Sequence, residues 1–261
     1  MGYSINKKNR YLTLVAAALP TCLKRKISRL LFKTQRLRDS FCGIDEFEIR
    51  SFSQEGEDVI LHRINPNKKN GFYVDVGAHH PRRFSNTYMF YKRGWRGINI
   101  EPDPESAGIF RKERSMDVNL QIGISAQPGK MKYYKFNESA MNTFDSNLAK
   151  EIIDSSVYTL LETIDIQLER LDDILDSYLP ENTEIDFLSI DVEGFDLSVL
   201  ESNNWRIYRP RVVLAEERGA SVAEAVDGEV SSFLHQQGYE LFAKTFNTLF
   251  FRDKQSESRN Q

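Results

Sequence analysis

The chain has 261 residues, room for one large domain or two small ones, and its 40% hydrophobic and 28% charged content excludes global disorder. Two cysteines, Cys22 and Cys42, can make neither a disulfide framework nor a four-cysteine metal site. With 35 basic residues against 38 acidic ones, a net charge of −3, the chain is not built to coat nucleic acid.

That average hides a division. Residues 1–38 hold ten bases and no acid, whereas residues 39–261 hold 25 bases and 38 acids, a net of −13. The expected organisation is a basic N-terminal arm (1–44), one acidic globular domain (45–253) and a disordered polar tail (254–261). Within the arm, the apolar run from Tyr11 to Leu19 has nine residues, too few for the roughly 20 that a spanning helix needs. Lys7, Lys8 and Arg10 before that run resemble a short signal peptide, but Lys24-Arg25-Lys26 follows at once and argues against export. The favoured reading is a solvated or partly helical arm. A weak contact with an anionic membrane surface is the second, and the expected location is cytoplasmic or peripheral to the membrane.

From residue 45 onward the pattern becomes regular. Ser51-Phe52-Ser53-Gln54 has capping-box spacing before an apolar face of Val59, Ile60, Leu61 and Ile64. Residues 71–77 read as a short buried strand ending in a turn at Gly77. Ser85 can cap a helix running to Gly94, and 97–101 is a second strand. Asp103-Pro104 then suits the start of a helix. A third strand is expected over 118–125 and an extended piece over 130–136. Leu168, Leu171, Ile174 and Leu175 lie at helical spacing. Strands follow over 185–192 and 211–216. Val222, Val226, Val230, Phe233 and Leu234 form a helical stripe, and 239–244 with 248–252 a closing hairpin. Strands alternating with helices imply a mostly parallel sheet covered on both faces, with an antiparallel C-terminal hairpin.

Ligands of such sheets bind outside the carboxyl ends of the strands, where this chain places Asp75, Glu101 and the pair Asp191 and Glu193. Gly77 would let the backbone approach a ligand closely. Glu101, ending the next strand, can accept both hydroxyls of a ribose. Together they favour an adenosine-containing ligand. The nicotinamide fingerprint needs two further glycines that Gly77-Ala78-His79-His80-Pro81-Arg82 lacks, and no phosphate-loop motif occurs. S-adenosylmethionine, a cofactor without phosphates, fits better.

Several ordered segments carry a resemblance. Ser53-Gln54-Glu55-Gly56-Glu57-Asp58, Phe72 to His79, Ser85-Asn86-Thr87, Gly94-Trp95-Arg96-Gly97, Ile100-Glu101-Pro102 and Leu188 to Gly194 resemble the FkbM-type methyltransferases over roughly residues 51–252. The resemblance implies a Rossmann-like methyltransferase fold that uses S-adenosylmethionine. The implied reaction is on a hydroxyl oxygen of a small acceptor such as a saccharide. It also implies a cofactor site of Asp75, Gly77, Ala78 and Glu101, with Gln54 and Asp191 beside it.

A hydroxyl is a poor nucleophile while protonated, so Asp191, Glu193 or His79 is the expected catalytic group. On a regular strand Asp191 and Glu193 would share one face. His79 and His80 are otherwise loop-packing residues. A hard-cation site at Asp191 and Glu193 with Glu216 or Glu217 is the weaker reading, and no metal is expected. Met141-Asn142-Thr143-Phe144 falls between strands and is a second-rank candidate for the acceptor wall. The competing functions are a non-catalytic binding protein on the same fold and, further behind, an NAD-linked oxidoreductase.

Overall fold

Apolar side chains at successive positions bury β1 (Phe72–Val76) along its whole length, and strand periodicity then decides the layers. Phe72, Val74 and Val76 enter one core with Ile98, Leu188 and Val213, whereas Tyr73 enters another with Leu61, Phe90, Phe187 and Leu214. The computed structural model describes residues 47–217 and 221–255. The chain divides into the units Met1–Arg50 and Ser51–Gln261, and the fold belongs to the second. The basic arm of residues 1–44, its short apolar run and the tail beyond residue 255 lie outside the described residues. Among those described, no helix is long and apolar enough to cross a membrane.

The seven-stranded sheet joins β1 to β2 (Arg96–Ile100), β3 (Val118–Leu120), β7 (Phe187–Ile190), β8 (Val212–Glu216), β9 (Tyr239–Lys244) and β10 (Thr248–Asp253). Its order is β3-β2-β1-β7-β8-β10-β9. All neighbouring pairs are parallel up to β8, and β10 runs antiparallel to both β8 and β9. The order grows outward from β1 in both directions, so β1 and β7 flank the crevice where a Rossmann-like sheet takes its ligand. The expected α/β class and the antiparallel hairpin are both present.

Helices cover the two faces. Leu61 of α1 (Glu57–Ile64) and Phe90 of α2 (Tyr88–Lys92) fill one core. On the other, α5 (Leu171–Tyr178), α6 (Asp196–Glu201) and α8 (Glu229–Gln236) contribute Leu171, Ile174, Val199, Leu200 and Leu234. Asp103 caps α3 (Pro104–Glu113) as expected, accepting from the Ser106 amide with Pro104 in the first turn. The remaining helices are α4 (Ser146–Asp154) and α7 (Val222–Asp227).

Three expectations are corrected. The strand over 118–125 is two strands: β3 joins the large sheet, whereas β4 (Gly123–Ile124) joins a second sheet of order β4-β6-β5. That second sheet pairs β5 (Gly129–Phe136) with an unanticipated strand, β6 (Leu160–Glu169), which contains Leu168. Leu168 lies three residues before Leu171 and so mimics a helical repeat across the strand-to-helix junction. Finally, the stripe from Val222 to Leu234 is broken at Gly228, whose extended backbone ends α7 and caps α8. Val222 and Val226 of α7 are exposed as a result.

Candidate active site

The turn after β1 builds the floor of the site. Gly77 has φ of 77°, and a Cβ on it would lie 1.8 Å from the Asp191 carbonyl oxygen. Only glycine fits there. Its amide and that of Ala78 both donate to the Ile100 carbonyl, at 3.0 and 3.1 Å, which ties the turn to the end of β2. Above it opens a cavity of about 470 Å³. Every expected cofactor residue lines it: Gln54, Asp75, Gly77, Ala78, Glu101 and Asp191. Glu193, His79 and the whole of Met141-Asn142-Thr143-Phe144 line it too.

Glu101 is 5% exposed and holds the turn together. Its Oε2 accepts the His79 amide at 2.7 Å and its Oε1 the Asp103 amide at 2.8 Å. Each oxygen keeps a second lone pair for a ligand hydroxyl. Burial pushes its pKa up to about 8 against the pull of those two amides. Asp75 lies deeper, 4% exposed, with Thr87 donating to its Oδ2 at 3.0 Å. Burial pushes it up to about 6, while bonds from Thr87 and Ser189 and the Arg114 charge hold it down.

The segment before α1 presents Gln54. Asp58 accepts from the Ser51 hydroxyl, the Phe52 amide and the Ser53 hydroxyl at 2.7–3.0 Å. Glu55 accepts the Asn247 amide at 2.8 Å and Glu57 the Thr248 hydroxyl at 3.1 Å. The acidic run therefore fastens this segment to the β9–β10 turn, and Gln54 and Asn247 both reach the cavity.

On the far side, β7 stops at Ile190, so Asp191 and Glu193 are not strand residues. Glu193 is left-handed, with φ of 54°, and Gly194 follows at 94°. The expected two-residue alternation therefore does not apply to them. The turn still brings carboxylate oxygens of Asp191 and Glu193 within 4.8 Å of one another and of Glu216, which ends β8. Glu216 rather than Glu217 completes the group. Burial first, then the Asp191 and Asp196 charges, pushes Glu216 up to about 9. A side-chain hydrogen bond joins it to Asp191, so the raised pKa belongs to the two carboxyls as a pair.

The two histidines differ. His80 Nδ1 accepts the Arg82 and Arg83 amides at 3.1 and 3.0 Å and folds the loop. His79 stacks on Phe84 and its Nε2 is buried with no hydrogen-bond partner among the described residues. Burial first, then the charges of Arg83 and His80, lowers its pKa to about 4. A neutral imidazole of that kind offers a hydrogen bond more readily than it holds a proton. Arg83 crosses the rim to make a two-bond pair with Glu138, at 2.9 and 3.1 Å, and so joins the 78–87 loop to the strands of the second sheet.

Sequence reasoning missed Glu216 as a partner of Asp191, and the Arg83–Glu138 bridge altogether. The signal for Glu216 was its place at a strand end, where it was weighed only for a metal.

The strand order reverses at β1 and β7, and the acid-lined cavity lies at that reversal, where open α/β sheets take their ligands. Residues 75–241 match the family model described as the methyltransferase FkbM domain. The chain belongs to that family and is a methyltransferase. It is 29% identical over 246 residues to the methyltransferase sdnD of Sordaria araneosa, covering 81% of this chain and 89% of that one. Similar solved structures include a TehB-like SAM-dependent methyltransferase from Corynebacterium glutamicum, at 12% identity and a TM-score of 0.38. That match covers 87% of this chain and 99% of the other. An O-methyltransferase from Bacillus cereus in complex with SAH is similar at 10% identity and a TM-score of 0.34, covering 88% and 96%.

Proposed function

We propose that residues 45–253 transfer a methyl group from S-adenosylmethionine to a hydroxyl oxygen of a small acceptor, with a saccharide as the favoured class. The observation that carries this reading is Glu101 beside the Gly77 turn. A carboxyl that lines the cavity and keeps lone pairs beyond its two backbone amides suits the two ribose hydroxyls, and the loop carries no glycine pattern for a pyrophosphate. When bound, the cofactor supplies an electrophilic methyl on a sulfonium. The chain's own residues bind, align and accept a proton. Gln54, Gly77 and Ala78 would hold the cofactor, and Asp75 would add negative charge on the cavity floor. His79 Nε2 offers a hydrogen bond. Asp191 is the proton acceptor, held by its hydrogen bond with Glu216, with Glu193 beside it. Alignment of acceptor and methyl supplies much of the remaining rate.

No metal is assigned to the reaction in this reading; a hard cation would bind at Asp191, Glu193 and Glu216, whose carboxylate oxygens converge. The basic arm is read as solvated or partly helical, with weak contact with anionic lipid as the second reading; co-sedimentation with anionic against neutral vesicles separates the two. Titration calorimetry with S-adenosylmethionine and with NAD tests the cofactor, and binding of NAD alone would overturn it. Methyl-labelled cofactor with a panel of saccharides, with and without chelator, then tests acceptor and metal.

A further inference from the structure

Arg114 carries a full charge yet is 0% exposed, and it forms no part of the cavity wall. A buried guanidinium persists only when paired and hydrogen-bonded. Asp117 supplies the pairing: its Oδ2 accepts Arg114 Nε at 2.9 Å, and it also receives the Tyr73 hydroxyl, the Gly97 amide and the Asn99 amide. Charge balance is complete at that point, but the guanidinium reaches further. Its NH1 donates to the Pro81 carbonyl at 3.1 Å and its NH2 to the Thr87 Oγ1 at 3.1 Å. Those two contacts grip one loop at its middle and its end. Between and beside them stand His79, Arg83, Phe84 and Asn86, all on the cavity wall.

The second contact has a directional consequence. A guanidinium can only donate. Thr87 Oγ1 therefore accepts from Arg114 and gives its single proton to Asp75 Oδ2, 3.0 Å away and nearer than the Ser85 hydroxyl at 3.3 Å. We propose that Arg114 is a positioning residue for ligand binding, holding the 78–87 wall through Pro81 and, through Thr87, the placement and charge of Asp75 on the cavity floor. This rests on the reading of the cavity as an S-adenosylmethionine site. Asp75 is faced by Arg114 and Asp117 on one side, by Glu101 at the end of β2, and by the uncharged Ser189 on β7. Of these only Arg114 favours its ionised form by charge. A cationic sulfonium binds better above an ionised Asp75.

The test uses the full chain with Thr87→Val, Thr87→Ser and Arg114→Met, measuring S-adenosylmethionine affinity by calorimetry from about pH 5 to pH 8 together with Tm. Wild-type affinity is expected to rise as Asp75 ionises near pH 6. In Thr87→Val the rise moves to higher pH and affinity at pH 6 falls on the order of tenfold, the weight of one hydrogen bond to a charged group. Thr87→Ser restores both, and a folded Arg114→Met moves the rise further. A folded Thr87→Val with wild-type affinity overturns the proposal, as does an equal loss at every pH. Carbon-13 titration of the Asp75 carboxyl reads the relay without cofactor. If the wild type binds none, a raised Asp75 midpoint in Thr87→Val still upholds the Arg114–Thr87–Asp75 relay while the cofactor reading falls. An unmoved midpoint overturns it.

Discussion

The carbonyl oxygen of Asp191 occupies the space that a side chain on Gly77 would need, 1.8 Å from the position of its Cβ. The two residues follow the ends of the neighbouring parallel strands β1 and β7, and their close approach limits the width of the crevice between them. Gly77→Ala is therefore expected to lower stability by more than the roughly 1–2 kcal/mol that left-handed backbone costs an L-residue. Cofactor affinity should fall with it, because the β1 and β7 turns must separate. Thermal melts and calorimetry on the same preparation check this, and a stable variant with wild-type affinity would refute it.

Glu101→Gln replaces one acceptor oxygen by an amide donor but leaves the other for a backbone amide, so the turn should hold. S-adenosylmethionine binding is expected to weaken by about 1–3 kcal/mol, as for leaving a buried ligand hydroxyl without its acceptor. An unchanged dissociation constant would remove Glu101 from the site.

Asp191→Asn keeps shape and cofactor affinity and is expected to slow single-turnover methyl transfer by about 10²–10⁴-fold, the usual effect of losing a general base. Full activity in this variant would leave alignment alone as the source of rate.

The Arg83–Glu138 pair is a different case, with side chains 46% and 33% exposed. Exposed pairs add little stability, at most about 1 kcal/mol. Arg83→Ala should leave Tm nearly unaltered while speeding cofactor dissociation several-fold, because the rim is no longer bridged. Stopped-flow measurement of dissociation decides it, and an unaltered rate would make the bridge ornamental.

Stability should also depend on pH through Asp196, which burial and then the Asp191 charge push up to about 8. An acid whose folded pKa is raised binds its proton more tightly when folded, so its contribution is complete below about pH 4 and is lost as pH rises toward 8. The Tm of the ligand-free wild type should fall across that window more steeply than that of Asp196→Asn. Parallel slopes would contradict the assignment.

Much of this molecule is legible in the chain itself. The short continuously buried strands 72–76 and 187–190, the Asp103-Pro104 helix start and the left-handed Gly77 are local, because they show in the residue types and dihedral preferences of a few neighbouring positions. The acids at strand ends were found the same way, since strand ends are where an α/β sheet meets its ligand. Tertiary structure alone decided which of them meet. Glu216 reaches Asp191 because β7 and β8 pair in parallel register, a fact that no local pattern encodes. Arg114 follows Arg111-Lys112-Glu113 and reads as one more solvated charge at a helix end. It is buried because the end of α3 points it at Tyr73, Thr87 and Asp117, residues separated from one another by up to 44 positions. The second sheet was hidden for a related reason: β6 buries few residues, and its last leucine continues the spacing of the helix that follows. Local physics chose the elements and their ends, while long-range pairing, whose energy depends on partners distant in sequence, assembled the site.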